Sequence, residues 1–342
     1  MLTLKKTIFN FAFLSIAITQ NVDEYIPANF KQRLEASGYS NGLVKRISNL
    51  SKPLLSKRIT NGEIASISDY PYAGFILKDI GYGGDMCGSS LIAPNVLLTA
   101  AHCVTEPLSQ KEVHSSRVTA IFGLNKVVRV AEKTYTAKRI ARHVDYDQSG
   151  YKNDIALVFL DKDVPSSIAT PIEIYRGNVT DDLKVHIAGW GALSKLKNAP
   201  KKITPTLYSI NIQIHSSDLC SSKNSKWDGS NNGNTICTIN TEDKGVCIGD
   251  SGSSLVTGKG DSAKIVGIAS TISTWDPNAK ELKCGVKNDG AYFVNANYYS
   301  KWINEEITKF KNSSEIAENA DFITDYYFKK NDILRSKSTK TE

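Results

Sequence analysis

The stretch Cys247-Ile248-Gly249-Asp250-Ser251-Gly252-Ser253 places a serine between an aspartate and a glycine. A serine hydroxyl is a weak nucleophile at neutral pH, and it attacks a carbonyl carbon only when a nearby imidazole accepts its proton. A carboxylate must in turn hold that imidazole in the correct tautomer. Ser251 is therefore a candidate nucleophile, and the rest of the chain should supply a histidine and an aspartate.

Two further stretches supply one candidate for each of these roles. Thr99-Ala100-Ala101-His102-Cys103 places His102 after a short apolar run, and Asn153-Asp154-Ile155-Ala156-Leu157 places Asp154 before one. An aspartate at the mouth of a buried strand is costly unless a partner satisfies it, and the His102 imidazole is such a partner. We expect His102 to act as general base toward Ser251 and then as general acid toward the leaving group.

These stretches, in the order His, Asp and Ser, resemble the chymotrypsin/trypsin family of secreted serine proteases over about Ile59 to Phe310. The resemblance implies a serine endopeptidase, a hydrolase of peptide bonds, with the backbone N–H groups of Gly249 and Ser251 as the oxyanion hole. It also implies an all-β fold of two packed six-stranded antiparallel β-barrels. The active site would lie in the cleft between the barrels, and a short helix would end the domain.

The apolar pattern along the chain supports an all-β fold independently, because short β-type runs alternate with Gly, Asn, Asp and Pro. The predicted strands are Ala73–Leu77, Asn95–Ala100, Val118–Phe122, Ile155–Leu160, Val185–Ala188, Leu207–Ile214, Ile265–Ser270 and Ala291–Val294. Near the end of this region, apolar residues at helical spacing predict an amphipathic helix that docks on the second barrel. These residues are Tyr299, Trp302, Ile303, Ile307 and Phe310.

The first 19 residues have the layout of a signal peptide. Lys5 and Lys6 precede an apolar run from Ile8 to Ile18, with cleavage expected after Thr19. The alternative is a transmembrane anchor, but the run has only about half of the roughly 20 residues that span a bilayer. We expect a secreted, extracellular monomer with no stable membrane insertion.

Residues 20–58 form the expected propeptide, which ends in the basic pair Lys57-Arg58 directly before Ile59. The resemblance implies a zymogen that an activating protease cleaves after Arg58. The new amino group of Ile59 would then pair with Asp250, because an amine buried against a buried carboxylate orders a loop that is otherwise loose. The alternative is an exposed basic loop that is not processed.

Six cysteines after a predicted signal peptide indicate three disulfides, but the sequence alone does not select the pairing. The resemblance selects Cys87–Cys103, Cys220–Cys237 and Cys247–Cys284. Zinc is a weak alternative, because the chain has no CxxC pair and no His-x-x-x-His run. We expect no metal and no organic cofactor, and we find no carboxylate cluster between His102 and Asp154 that favours calcium.

The net charge of +7 comes almost entirely from the predicted leader. Residues 1–58 carry nine Lys/Arg and three Asp/Glu, which leaves 33 basic and 32 acidic residues in the rest of the chain. A nucleic-acid-binding domain keeps a basic surface, so the expected partners are protein or peptide substrates and not nucleic acid. The composition of residues 311–342 predicts a flexible polar tail, and sequons at Asn49, Asn178 and Asn312 predict a glycoprotein.

By the resemblance, the residue six positions before the nucleophile forms the floor of the primary specificity pocket, and here it is Gly245. The expected pocket residues are Gly245, Val246, Ser270, Ile272 and Gly290. An uncharged floor favours a small or medium apolar residue before the scissile bond, as in elastase or chymotrypsin. Asp289 or Asp243 would allow basic residues instead, if either carboxylate reached the pocket.

Two departures from the family pattern lie close to the site. Ser253 and Ser254 stand where the family usually has Gly and Pro, and Ser270-Thr271-Ile272 stands where it commonly has Ser-Trp-Gly. The competing hypothesis is therefore a secreted homologue with impaired catalytic geometry that binds proteins without cutting them. An α/β-hydrolase esterase is a poorer fit, because it requires Gly-x-Ser-x-Gly and a histidine after the serine.

Overall fold

The computed structural model describes residues 62–79, 84–126, 133–191, 206–223, 227, 229–240, 244–275 and 284–313, all within one unit of the chain, Lys57–Glu342. The strands are β1 (Glu63–Ile64), β2 (Ala73–Asp79), β3 (Gly84–Ala93), β4 (Val96–Thr99), β5 (Val118–Phe122), β6 (Tyr135–Arg142), β7 (Ala156–Leu160), β8 (Glu173–Ile174), β9 (Val185–Gly189), β10 (Tyr208–Ile212), β11 (Thr235–Ile239), β12 (Ser254–Thr257), β13 (Lys264–Ser273) and β14 (Gly290–Asn295). The α-helices of the described residues are α1 (Ser217–Lys223) and α2 (300–313). The predicted signal peptide and propeptide, and the tail after residue 313, lie outside these residues.

Six strands close into a first barrel in the order β2-β3-β4-β7-β6-β5, with every neighbouring pair antiparallel. Its most deeply buried strands are β4 and β7, in which every residue is buried. This burial explains why the sequence shows them as continuous apolar runs and not as alternating patterns. Closure leaves this barrel without an unpaired edge.

The second sheet runs in the order β1-β10-β9-β12-β13-β14-β11, and the short strand β8 pairs with β13. An isolated bridge between Ile214 and Thr238 joins the segment after β10 to β11, the last strand of the row. The all-β fold with a closed six-stranded barrel and a second sheet confirms the predicted fold class.

The C-terminal helix α2 packs on the first barrel, so the prediction that it docks on the second barrel was wrong. The Phe310 ring stacks on Phe159 of β7 with 4.3 Å between ring centroids. Arg139 of β6 donates a 2.6 Å hydrogen bond to Glu306 of α2. The apolar spacing shows that the helix has a buried face, but spacing carries no information about which surface that face covers.

Three disulfides join Cys87 to Cys103, Cys220 to Cys237 and Cys247 to Cys284. These pairs are the ones that the family resemblance implies. The first pair ties β3 to the short 3-10 helix Ala101–Val104, which follows β4. The third pair ties the segment before Ser251 to the segment before β14.

Candidate active site

His102 and Asp154 meet because their strands are paired. His102 lies in the 3-10 helix that follows β4, and Asp154 lies two residues before β7, which pairs with β4 through Thr99 and Ala156. His102 Nδ1 is 2.8 Å from Asp154 Oδ2, and the His102 backbone N–H donates a 2.8 Å hydrogen bond to Asp154 Oδ1. Both carboxylate oxygens therefore hold His102 at a defined position and ring orientation.

Ser270 is a third partner of this carboxylate. The pairing of β13 with β14 shifts register between Ala269 and Thr271, which makes Ser270 the extra residue of a β-bulge. A bulge redirects a side chain relative to the regular strand, and Ser270 Oγ donates a 2.6 Å hydrogen bond to Asp154 Oδ2. Burial alone would raise the pKa of Asp154, but the charge of His102 and the hydrogen bonds from His102 and Ser270 hold this pKa below its usual value.

Ser251 is held on the first barrel by its own backbone. The Gly88 N–H of β3 donates a 2.7 Å hydrogen bond to the Ser251 carbonyl, and the Gly252 N–H donates a 2.8 Å hydrogen bond to Ala269 O. A Cβ on Gly252 would overlap Gly88 O and Thr99 Oγ1, and Gly252 has a φ of 81°. Only glycine fits this close approach, which brings Ser251 to the segment that leads into His102.

Within the described part of the chain, no hydrogen bond joins Ser251 Oγ to His102 Nε2, and the nearest recorded partner of Nε2 is Cys103 Sγ at 3.6 Å. Hydrogen bonds between a nucleophile and its base commonly tighten only in the substrate complex. The position of Ser251 is therefore defined by its backbone contacts and not by a hydrogen bond of its hydroxyl.

Asp250 lies in a pocket made by glycine backbones. Its carboxylate accepts a 2.8 Å hydrogen bond from the Gly191 N–H and a 2.9 Å hydrogen bond from the Cys247 N–H. A Cβ on Gly189 or Gly191 would overlap the carboxylate, so only glycine at these two positions leaves room for the Asp250 side chain. Burial raises the pKa of Asp250 to about 6, although the two N–H groups oppose the rise.

Gly249 and Ser251 are the predicted oxyanion hole. Gly249 has a φ of 96°, a conformation that glycine adopts without strain. Among the described residues, no acceptor is hydrogen-bonded to the backbone N–H of Gly249 or of Ser251. Neither N–H group is therefore paired within the part of the chain that the structure describes.

One of the predicted pocket residues contacts the Cys247–Cys284 disulfide, and the others lie in different surroundings. Ile272 packs against this disulfide, and Val246 belongs to the apolar core of the second sheet. A Cβ on Gly245 would lie 2.7 Å from Asn240 Oδ1 and 3.0 Å from Gly285 Cα, so this floor position has little space for a side chain. Gly290 pairs with Ser273 at the end of β13.

The two acidic residues considered for the pocket have different outcomes. Asp289 is buried, and its Oδ1 accepts hydrogen bonds from Thr274 Oγ1 at 3.2 Å and from the Trp275 N–H at 3.1 Å. It therefore serves as an anchor for the segment after β13. Asp243 lies outside the described residues, as do Arg58 and Ile59.

The two substituted serines after the nucleophile are accommodated where the second sheet meets the first barrel. Ser254 of β12 and Ser90 of β3 share a 2.7 Å hydrogen bond between their hydroxyls. A Cβ on Gly88 would overlap Ser253 Oγ, so the Ser253 side chain lies directly on the Gly88 backbone. The same Gly88 still binds the Ser251 carbonyl.

Sequence reasoning missed two aromatic residues at the site. The Tyr151 ring contacts the His102 ring edge to face at 5.8 Å, and the Trp275 ring lies against Gly290. Tyr151 is only three residues before Asp154 in the sequence, and this closeness is a signal that could have placed it near the site. Nothing in the sequence indicates the position of Trp275, because it depends on the path of the chain after β13.

A metal ion has little support at this site. Ligand atoms of Cys87, His102 and Cys103 lie within 4.8 Å of one another. The two sulfur atoms are bonded to each other in a disulfide, whereas the thiolate is the form that binds metals.

Comparison with known proteins decides the family. Residues 59–303 match the family model described as Trypsin. The chain belongs to the trypsin family of serine endopeptidases. Among its trypsin-family relatives, Trypsin delta of Drosophila melanogaster is 27% identical over 60% of this chain and 76% of the relative. Human Granzyme M is 28% identical over 60% of this chain and 76% of the relative. The CLIP domain-containing serine protease B8 of Anopheles gambiae is 23% identical over 72% of this chain and 65% of the relative.

The disulfides of this trypsin-family enzyme suit an oxidising compartment. No helix in the described residues combines the length and the apolar character that are needed to cross a membrane.

Proposed function

We propose that this protein is a secreted endopeptidase, made as a zymogen, that cleaves peptide bonds through His102, Asp154 and Ser251. The observation that carries the proposal is the hydrogen-bonded series from Ser270 through Asp154 to His102, facing a serine whose backbone is bound to the same barrel. A buried aspartate in a structural role would also need hydrogen-bond donors, so it is the serine held beside this series that favours catalysis.

The geometry supports the following reaction. Asp154 accepts a hydrogen bond from the Nδ1–H group of His102 and stays ionised, which leaves Nε2 free to take the Ser251 hydroxyl proton as the oxygen attacks the substrate carbonyl carbon. His102 then gives this proton to the amine of the departing peptide, and an acyl-enzyme remains on Ser251. Water, deprotonated by the same imidazole, attacks the ester and releases the acid product together with the free serine.

The carbonyl oxygen becomes negatively charged during each attack, and the N–H groups of Gly249 and Ser251 would stabilise it. Removal of one such donor typically costs about 3 kcal/mol of transition-state stabilisation. Asp154 must remain ionised for the imidazolium to form, and the lowered pKa of Asp154 supports this role.

The zymogen proposal rests on Asp250. In the described residues this buried carboxylate is hydrogen-bonded by two N–H groups and not by a cationic group. Cleavage after Arg58 would supply the ammonium group of Ile59, and its charge would lower the pKa of Asp250 from about 6. The ion pair would order the Gly249 segment, so that an activating protease controls the oxyanion hole.

For specificity, we propose a preference for an apolar residue before the scissile bond. Gly245 carries no charge, and Asp289 is committed to Thr274 and Trp275. Asn178 and Asn312 are exposed, which fits glycosylation on a secretory route. The expected partners are protein or peptide substrates and the activating protease.

The test is cleavage of a mixed peptide library by the full chain processed after Arg58, compared with its Ser251→Ala variant. The proposal predicts cleavage by the first protein and none by the second. The competing hypothesis, a protein-binding homologue without activity, predicts that neither protein cuts. Sequencing the products gives the residue before each cut, and a dominance of Lys or Arg would contradict the proposed apolar preference.

A further inference from the structure

The indole of Trp275 occupies the space that a side chain at position 290 would take. An ideal Cβ on Gly290 would lie 2.9 Å from Trp275 Cε2 and 3.0 Å from Cη2, and would overlap Cζ2. Real Cβ atoms do not approach other heavy atoms so closely, so Gly290 and Trp275 fit each other as a pair. The ring fills the space that the glycine leaves open.

The Trp275 ring is held in place from two directions. Its backbone N–H donates to Asp289 Oδ1, and Thr274 Oγ1 donates to the same oxygen. The ring itself packs on an apolar cluster formed by Tyr292 and the Cys220–Cys237 disulfide. Asp289 is buried and directly precedes Gly290. The hydrogen bonds to Asp289 and the contact of the ring with Gly290 therefore involve the same short segment.

The segment that contacts the ring is connected to the catalytic residues on both sides. Strand β13 runs from Ser270, which binds Asp154, to Ser273, which pairs with Gly290. On the opposite side, the Cys247–Cys284 disulfide ties the segment that carries Ser251 to the segment that leads into Gly290. Gly290 and the indole are thus linked to Ser270 through β13 and to the Ser251 segment through the disulfide.

We propose that Trp275 fills part of the primary specificity pocket and restricts the residue before the scissile bond to small side chains such as alanine. This inference rests on the proposed proteolytic function and narrows it to one class of substrate. An aromatic or long side chain needs the volume that the indole already occupies, and close-packed interiors do not hold both. The selecting residue comes from the segment after β13 and not from the pocket floor.

The test uses the full chain processed after Arg58 and a series of peptide amides that differ only in an Ala, Val, Leu, Phe or Lys before the cut. The wild type should show kcat/KM for Ala at least about 10-fold above that for Phe. Trp275→Ala should raise kcat/KM for Phe by about 10-fold or more and leave the value for Ala within about threefold. Trp275→Leu, which leaves more of the apolar packing in place, should raise the Phe value by a smaller factor.

Trp227→Ala is the matched control, because it removes an indole from the same cluster, at 5.9 Å from the Tyr292 ring, without touching Gly290. It should leave the ranking of substrates unchanged. The active-site concentration of each protein is measured by titration with a serine-directed fluorophosphonate. A wild type that does not react with this reagent overturns the proposed function itself. A reactive wild type that cleaves the Phe and Ala peptides equally well, or a reactive Trp275→Ala variant with an unchanged ranking, overturns the Trp275 proposal alone.

Discussion

Ser270 Oγ donates a 2.6 Å hydrogen bond to Asp154 Oδ2, the same oxygen that lies 2.8 Å from His102 Nδ1. Ser270 and Asp154 are 116 positions apart in the chain; Ser270 belongs to β13 of the second sheet, and Asp154 lies just before β7 of the first barrel. The bulge at Ser270 makes the contact possible, because it breaks the pairing of β13 with β14 at that residue. The second sheet thereby helps to hold the carboxylate that orients the histidine of the first barrel.

Ser270→Ala should lower kcat/KM by about 10- to 100-fold with little change in KM. The substitution removes a donor to a buried carboxylate, which is worth about 1–3 kcal/mol, and the loss is felt as the imidazolium forms. Steady-state kinetics of the processed protein measure it. Ser89→Ala is the control, since Ser89 Oγ is also buried but has no hydrogen-bond partner in the described residues. Equal losses in the two variants would contradict a positioning role for Ser270.

Gly252→Ala should abolish most activity and destabilise the protein. The added methyl group would overlap Gly88 O and Thr99 Oγ1, and alanine would have to adopt a φ of 81°. The conformation alone costs about 1–2 kcal/mol, and the overlap moves the backbone of Ser251. Urea unfolding and kinetics measure the two effects.

Gly229→Ala is the matched control for this prediction. Gly229 has a φ of 91°, but a Cβ there would meet nothing within 4 Å. The Gly229→Ala variant should lose only the stability that alanine costs at this φ, and its activity should be unchanged. If the two variants behaved alike, the close approach of Gly252 to the first barrel would not be important.

The histidine and aspartate segments were visible in the sequence because each lies beside a short apolar run, and the serine segment because Gly249-Asp250-Ser251-Gly252 resembles the family's pattern. The strand pairing of β4 with β7 then brings His102 to Asp154. The catalytic role of the three residues stays a prediction. The all-β fold followed from the same local patterns.

Other features depend on contacts between distant segments, which local patterns do not contain. The surface covered by α2 was predicted incorrectly, since the spacing that ends in Phe310 defines a buried face but not its partner. The position of the Trp275 ring depends on the anchor at Asp289. The predicted strand ended at Ser270, where the bulge lies, whereas β13 continues to Ser273.

Asp250 should make the unprocessed chain less stable as the pH rises. The pKa of this carboxyl rises from 3.8 in the unfolded chain to about 6 in the folded chain, so the folded state binds the proton more tightly between these values. The free energy of unfolding therefore falls as the pH increases from about 4 to about 6, by about 3 kcal/mol in total from this group.

The measurement is urea unfolding of the unprocessed Ser251→Ala chain at pH 4 and pH 7, with and without the further substitution Asp250→Asn. The stability of the chain that keeps Asp250, relative to the chain that carries Asp250→Asn, should fall between the two pH values. After processing, the Ile59 ammonium group should reduce or reverse this fall. A relative stability that is independent of pH in the unprocessed chain would contradict the account of Asp250.

Phe310→Ala should destabilise the protein by about 3 kcal/mol, because large-to-small substitution of a buried phenylalanine typically costs 3–5 kcal/mol. The stacking of Phe310 on Phe159 at 4.3 Å places this loss in the first barrel. Thermal or urea unfolding measures it, with Lys311→Ala at the next, exposed position as control. A loss no greater than that of the control would mean that α2 does not contribute to the stability of this barrel.

The most direct test of the account is the rate at which a serine-directed fluorophosphonate labels the full chain, with the modified residue located by peptide mass spectrometry. The account predicts fast labelling at Ser251 after processing at Arg58, and labelling at least about 100-fold slower in the His102→Ala variant. The unprocessed chain should also react slowly. Processed protein with a free Ile59 amino group that is not labelled at Ser251, or is labelled equally fast without His102, would contradict the central claim.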